Sequence, residues 1–166
     1  MFSNNPVVDC SCDFAGIEQG FKGSKLVFWG KADSISYVTL KETMDIVKAE
    51  NLEGKIVNNK KTYLESPWIA KVEMRVIKVF KGQKSTKKHI IYTSKMGASC
   101  GFRFIKNKEY FIYASDKSYL YRSLSANESD LENLEKLNTF WTNQCTNTGI
   151  YNKEEAKILR KLSSKY

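Results

Sequence analysis

Histidine occurs once and proline twice among the 166 residues. A single histidine excludes a histidine-built metal site and the two-histidine motif of zinc proteases. Two prolines and nine glycines exclude collagen-like repeats and linker-like sequence. No apolar run approaches the roughly 18 to 20 residues that cross a bilayer, so no transmembrane segment is expected. G-x-S-x-G, H-E-x-x-H and a glycine-rich phosphate loop are also missing. The carboxylates Glu42, Glu50, Glu53 and Glu65 sit in polar stretches without a paired pattern. His89, in Lys87-Lys88-His89-Ile90-Ile91, reads as a surface residue at a strand start rather than half of a cysteine–histidine nucleophile. These absences predict a chain that is not an enzyme and has no cofactor.

What is present fits one domain. Apolar residues are 42% and aromatics 13%, enough for a core. The formal charge is +9, from 27 Lys and Arg against 18 Asp and Glu. Such a balance suits a polyanion partner. The densest basic run holds Lys78, Lys81, Lys84, Lys87 and Lys88 and reads as a strand end and loop. Asn127-Glu128-Ser129 fits the N-glycosylation sequon.

The four cysteines are Cys10, Cys12, Cys100 and Cys145. An even count at wide spacing predicts two disulfides and hence an oxidising compartment. Met1–Asp9 has neither the basic nor the apolar segment of a signal peptide. Export then implies that Met1 stands where a removed leader ended. Cys10 and Cys12, two apart on an extended segment, project to the same side. Bridging them to each other would close a strained ring. The other two pairings both tether the N-terminal segment to distant chain. Either makes that segment a rigid, exposed ridge, which loses little entropy on entering a cleft.

The elements follow from periodicity. Asp13–Gly23 holds one or two helical turns. Lys25–Leu40 is a long strand or bent strand pair, with Gly30 at a bulge. Glu42–Lys61 reads as a polar hairpin excursion turning at Gly54. Trp68–Phe80 alternates with period two until the parity slips at Val76–Ile77, which predicts a β-bulge. After a turn at Lys81-Gly82, shorter strands are expected at His89–Thr93, Glu109–Ala114 and Tyr119–Leu124. Ser129-Asp130-Leu131-Glu132 fits a capping box, and Leu131, Leu134 and Leu137 extend a helix toward Phe140 and Trp141. A last helix covers Lys153–Ser164, capped by Asn152 with Glu155 at N3, its apolar face being Ile158, Leu159 and Leu162. About five strands followed by helices predict a mainly β domain, a small closed or nearly closed antiparallel barrel with flanking helices.

Several segments in order then resemble a known family. Cys10-Ser11-Cys12 leads into Leu26-Val27-Phe28-Trp29-Gly30-Lys31-Ala32. Later come Cys100-Gly101-Phe102, Lys108-Glu109-Tyr110-Phe111-Ile112-Tyr113, and Cys145. This order is similar to the inhibitory domain of the tissue inhibitors of metalloproteinases and, more broadly, to the netrin-like domain. The resemblance covers roughly residues 10–145. It implies a five-stranded OB-type barrel with the pairings Cys10–Cys100 and Cys12–Cys145. It divides the chain into an N-terminal extension, 1–9, and a single domain, 10–166. It also implies a mechanism: the α-amino group and carbonyl of Cys10 chelate a partner protease's catalytic zinc, displacing its water, while Ser11 enters the adjoining specificity pocket. Cys10, Ser11, Cys12 and Asp13 would form the binding ridge. The chain departs from the family at Lys22, where the family carries a cysteine, and has too few cysteines for a disulfide-rich second domain. Nine residues precede Cys10, and an amide nitrogen does not chelate as a free amine does, so the mechanism needs cleavage before Cys10.

The expectation is therefore an exported binding protein, most specifically a secreted metalloproteinase inhibitor. The alternative is a netrin-like module for a cell-surface protein or acidic polysaccharide without inhibitory activity, with the lysines at 78–88 as contacts. Nucleic acid is disfavoured as a partner, because the aromatics fall in core positions and disulfides do not suit a nuclear or cytosolic task.

Overall fold

The computed structural model describes residues 10, 12–13, 15–56, 58–95, 99–124 and 127–166. Among them the chain forms six strands: β1 (Leu26–Val38), β2 (Ile69–Lys81), β3 (Lys88–Ser94), β4 (Glu109–Ala114), β5 (Thr139–Trp141) and β6 (Gly149–Ile150). Five α-helices accompany them: α1 (Ile17–Gly23), α2 (Ile46–Glu53), α3 (Asn58–Glu65), α4 (Glu128–Leu131) and α5 (Lys153–Lys165). The described chain is mainly β, as its strand periodicity predicts.

The strands form one mixed sheet in the order β5-β3-β2-β1-β4-β6. Three points of the predicted barrel need correction. The strands number six, β3 and β5 run parallel rather than antiparallel, and the sheet is open. Strand β5 has three residues, and among the described residues its backbone pairs with the chain after β4 at a single Ser115–Trp141 bridge.

The long strands bend where the sequence says. Trp29 pairs with Lys78 and Gly30 with Val76, so Ile77 is the extra residue of a bulge. Val76 and Val79, three apart, consequently pack on the same cluster, beside Val72 and Met74. Gly30 has a steric reason. A Cβ there would stand 2.6 Å from the Phe28 ring and 2.9 Å from the Arg75 carbonyl oxygen.

The described buried apolar residues fall into three clusters. One surrounds Phe28, Met74 and Ile112 on a face of the sheet. A second places Val27, Phe80 and Phe111 beneath α1 and α5, against Phe21, Leu159 and Leu162. The third packs Leu52, Leu64, Tyr121 and Leu134 around Trp141.

Helix positions hold the other differences. The polar stretch 42–61 is helical, not a hairpin: Asp45 caps α2 by accepting from the Lys48 amide at 3.2 Å, and Ala49 and Leu52 turn inward. The helix expected from Ser129 to Trp141 is a single turn. Asn133 and Asn138 adopt φ of 56° and 61°, which break an α-helix, and Thr139–Trp141 goes extended as β5. Tyr121–Leu124 is a 3-10 turn rather than a strand. There the Tyr121 hydroxyl lies 2.9 Å from that of Thr43, and Ser123 Oγ donates to the Leu120 carbonyl at 2.6 Å. Helix α5 starts as predicted. Asn152 Oδ1 accepts from the Glu155 amide at 2.8 Å, and Asn152 Nδ2 donates back to Glu155 Oε2 at 3.1 Å. Its buried stripe is Ala156, Leu159 and Leu162; Ile158 is 41% exposed. No described helix is long and apolar enough to cross a membrane.

Candidate functional site

The N-terminal segment is sewn to two loops. Cys10 is bridged to Cys100 and Cys12 to Cys145, with Cα–Cα distances of 5.3 and 5.0 Å. The receiving loops are joined to each other as well. The Gln144 amide donates to the Cys100 carbonyl at 2.8 Å, and its side chain donates to the Gly101 carbonyl at 2.8 Å. Cys100, 6% exposed, holds a left-handed φ of 58° at this junction.

Each loop is also pinned to the sheet. Thr93 Oγ1 on β3 accepts from the Phe102 amide at 2.9 Å. On the other loop, Thr142 Oγ1 donates to the Tyr113 carbonyl at 3.0 Å and lies 2.7 Å from Thr148 Oγ1. Thr148 Oγ1 accepts from the Tyr113 amide at 2.9 Å. Cys145 itself donates its amide to Asn143 Oδ1 at 2.8 Å. The bridges therefore land on a platform whose buried hydroxyls and carbonyls are paired, which keeps it rigid.

The far end of the segment is held by α1. Asn147 Nδ2 donates to the Gly16 carbonyl at 3.1 Å and packs against Gly20, where an added Cβ would make the Asn147 amide shift. Lys81 Nζ donates to the Phe21 and Lys22 carbonyls at 2.9 Å each, satisfying the end of α1. Between these anchors Cys10 and Cys12 are half-buried and Asp13 is exposed. Ser11 and the extension 1–9 lie outside the described residues. The clefts of about 510 and 790 Å3 lie away from this segment, beside α2 and beside Tyr121–Glu135.

Other predicted residues are placed as follows. Lys84, Lys87 and Lys88 are exposed around the β2–β3 turn, Lys78 Nζ sits 5.8 Å above the Phe80 ring, and Lys81 is committed to α1. His89 contradicts its reading as a surface residue. It is 5% exposed, its ring 5.2 Å from that of Phe28 and 5.3 Å from that of Phe140. Its Nε2 has no hydrogen-bond partner, and burial pushes its pKa below the ordinary value. The reason is register: His89 pairs with Met74, whose side chain belongs to the buried face of β2. Among the described residues no cysteine is free and no group of three or more His, Cys, Asp or Glu could hold a metal ion.

Gln144, Asn147 and Thr142 were not singled out by the sequence reading. Their signal was available in the polar run Thr142–Thr148, because such side chains bond to nearby backbone and fix loops. No family model matches the chain, and no curated protein matches it.

Proposed function

We propose that the protein is an exported, non-enzymatic binding protein that inhibits zinc metalloproteinases through the ridge Cys10–Asp13. The observation that carries this reading is the double tether. Cys10 and Cys12, two residues apart, are each bridged to a rigid platform, which fixes both ends of the strip. Little conformational entropy remains to be lost when such a strip enters a protease cleft. Cleavage before Cys10 supplies the free amine. That amine and the Cys10 carbonyl then take the open positions of the partner's zinc and displace the water that would attack substrate.

A partly open OB-type barrel belongs to the same reading. It is supported by the parallel β3–β5 pair and by the Ser115–Trp141 bridge, which joins the β5 side of the sheet to the β4 side.

The test compares two proteins with both bridges verified by mass mapping, one beginning at Cys10 and one keeping residues 1–9. The first is expected to inhibit members of a zinc-protease panel and the second not. Loss of inhibition on acetylating the α-amine of the first would support chelation. A Cys10-initiated protein that leaves the whole panel active would overturn the reading.

A further inference from the structure

We propose a second, separate binding surface: a cationic face formed by α1, the β2–β3 turn and α5 that takes a sulfated or uronic-acid polysaccharide. It does not rest on the ridge.

The first argument is where the charge sits. Residues 17–25, 78–88 and 153–165 contain twelve of the 27 cations and three of the 18 anions. Their excess of nine equals the formal charge of the whole chain, so the remainder is neutral in sum. Along the sequence these segments are far apart, and only the middle one looks like a basic run.

The fold brings α1, the end of β2 that leads into the turn, and α5 together. Lys81 on β2 reaches the last carbonyls of α1. Phe21 of α1, Phe80 of β2 and Leu159 and Leu162 of α5 share one buried cluster. Lys22 and Lys165, from the two helices, both lie over the Tyr166 ring, at 5.1 and 5.2 Å. Eleven of the twelve cations are exposed and Lys81 is half-buried. Among the described residues only Lys22 and Lys157 of the twelve make an ion pair, with Glu18 and Glu154. Unneutralised like charges crowded on one face repel, and a bound polyanion relieves that repulsion while releasing its own counterions.

The chemistry selects the class of polyanion. The apolar stripe of α5 is buried in the core, and Ile158 is its one large exposed aliphatic residue, so the helix has little to insert into a lipid surface. Eleven of the twelve cations are lysines, compact charges on flexible stems rather than the planar forks that read bases and phosphates bidentately. The two disulfides suit an exported chain, where acidic polysaccharide is met.

The experiment is retention of the full chain on immobilised heparin across a salt gradient. The variants are Arg160→Gln/Lys161→Gln/Lys165→Gln on α5 and Lys78→Gln/Lys84→Gln/Lys87→Gln on β2 and its turn. A control, Lys95→Gln/Arg103→Gln/Lys106→Gln, removes equal charge outside the three segments. Unchanged thermal midpoints show that each variant is folded. Wild type is expected to be retained above physiological salt, and both face variants to elute earlier than the control. Their log–log salt dependence should flatten by roughly one unit per contact removed. The proposal is overturned by no retention at low salt, by a control that elutes as early as the face variants, or by binding to anionic phospholipid vesicles without retention on heparin.

Discussion

His89 shows what one side chain can impose on the whole molecule. Burial between two phenylalanine rings disfavours the imidazolium, so the native pKa lies below the ordinary 6.5. At pH between the two values the unfolded chain binds a proton that the native chain refuses. The stability this residue confers is complete above pH 6.5 and is lost as pH falls through the native pKa. Urea midpoints should therefore drop between pH 7 and pH 5, and His89→Phe should flatten that drop; identical slopes would disprove it. Glu18, Asp33 and Glu53 are also held below their ordinary values, by Lys22, Arg75 and Lys41. Their contributions are present above the carboxylate range and fade near pH 4 and below, so the two windows separate. Gly30 gives a second residue-scale test. Gly30→Ala forces the Phe28 ring and the Arg75 carbonyl apart and should cost about 1–3 kcal/mol, read as a lower denaturant midpoint. The need for Gly30 was legible in the sequence as a bend. The burial of His89 was not, because neighbouring lysines concealed which face of β3 it occupies.

Elements were legible in proportion to their length and periodicity. Strand β4 and helix α5 could be read nearly to the residue, since one is an uninterrupted apolar run and the other carries its own cap. In α5, Asn152→Ala should cost about 1 kcal/mol. Leu159→Ala should cost about 2–5 kcal/mol, because it empties space in the cluster beneath the helix. Equal thermal shifts for the two would contradict that ranking. Helices α2 and α3 were hidden because eight polar-rich residues each carry too little pattern. The false helix after Ser129 arose because three leucines at helical spacing resemble one face. Leu137 is in fact 92% exposed, and the two left-handed asparagines decide the path. The ridge is an element too. Removing its second bridge with Cys12→Ser/Cys145→Ser opens a 133-residue loop and should lower stability by up to about 5 kcal/mol. Limited proteolysis of residues 10–16 should accelerate at the same time; unchanged cleavage would show that Asn147 and Lys81 suffice to hold it.

At the scale of the molecule, the open sheet has one weak seam. Strands β1 and β2 share eleven residue pairs, from Val27–Lys81 to Val38–Ile69, whereas β5 pairs with the chain after β4 through one. Hydrogen exchange should accordingly be faster at the Ser115 and Trp141 amides than in the centre of β1 and β2, and uniform protection would mean a closed barrel. Alternation, capping and cysteine count were enough for a mainly β, disulfide-bonded chain with a bent central strand pair and a C-terminal helix. Those features follow from period, capping and chain entropy, which are properties of neighbours in sequence. How open the sheet is, where His89 lies and how α1 and α5 share a cluster with β2 were decided only by packing. Each depends on residues distant in sequence meeting across the sheet, such as Phe28 with His89 and Phe21 with Leu159, and no local pattern encodes such a meeting.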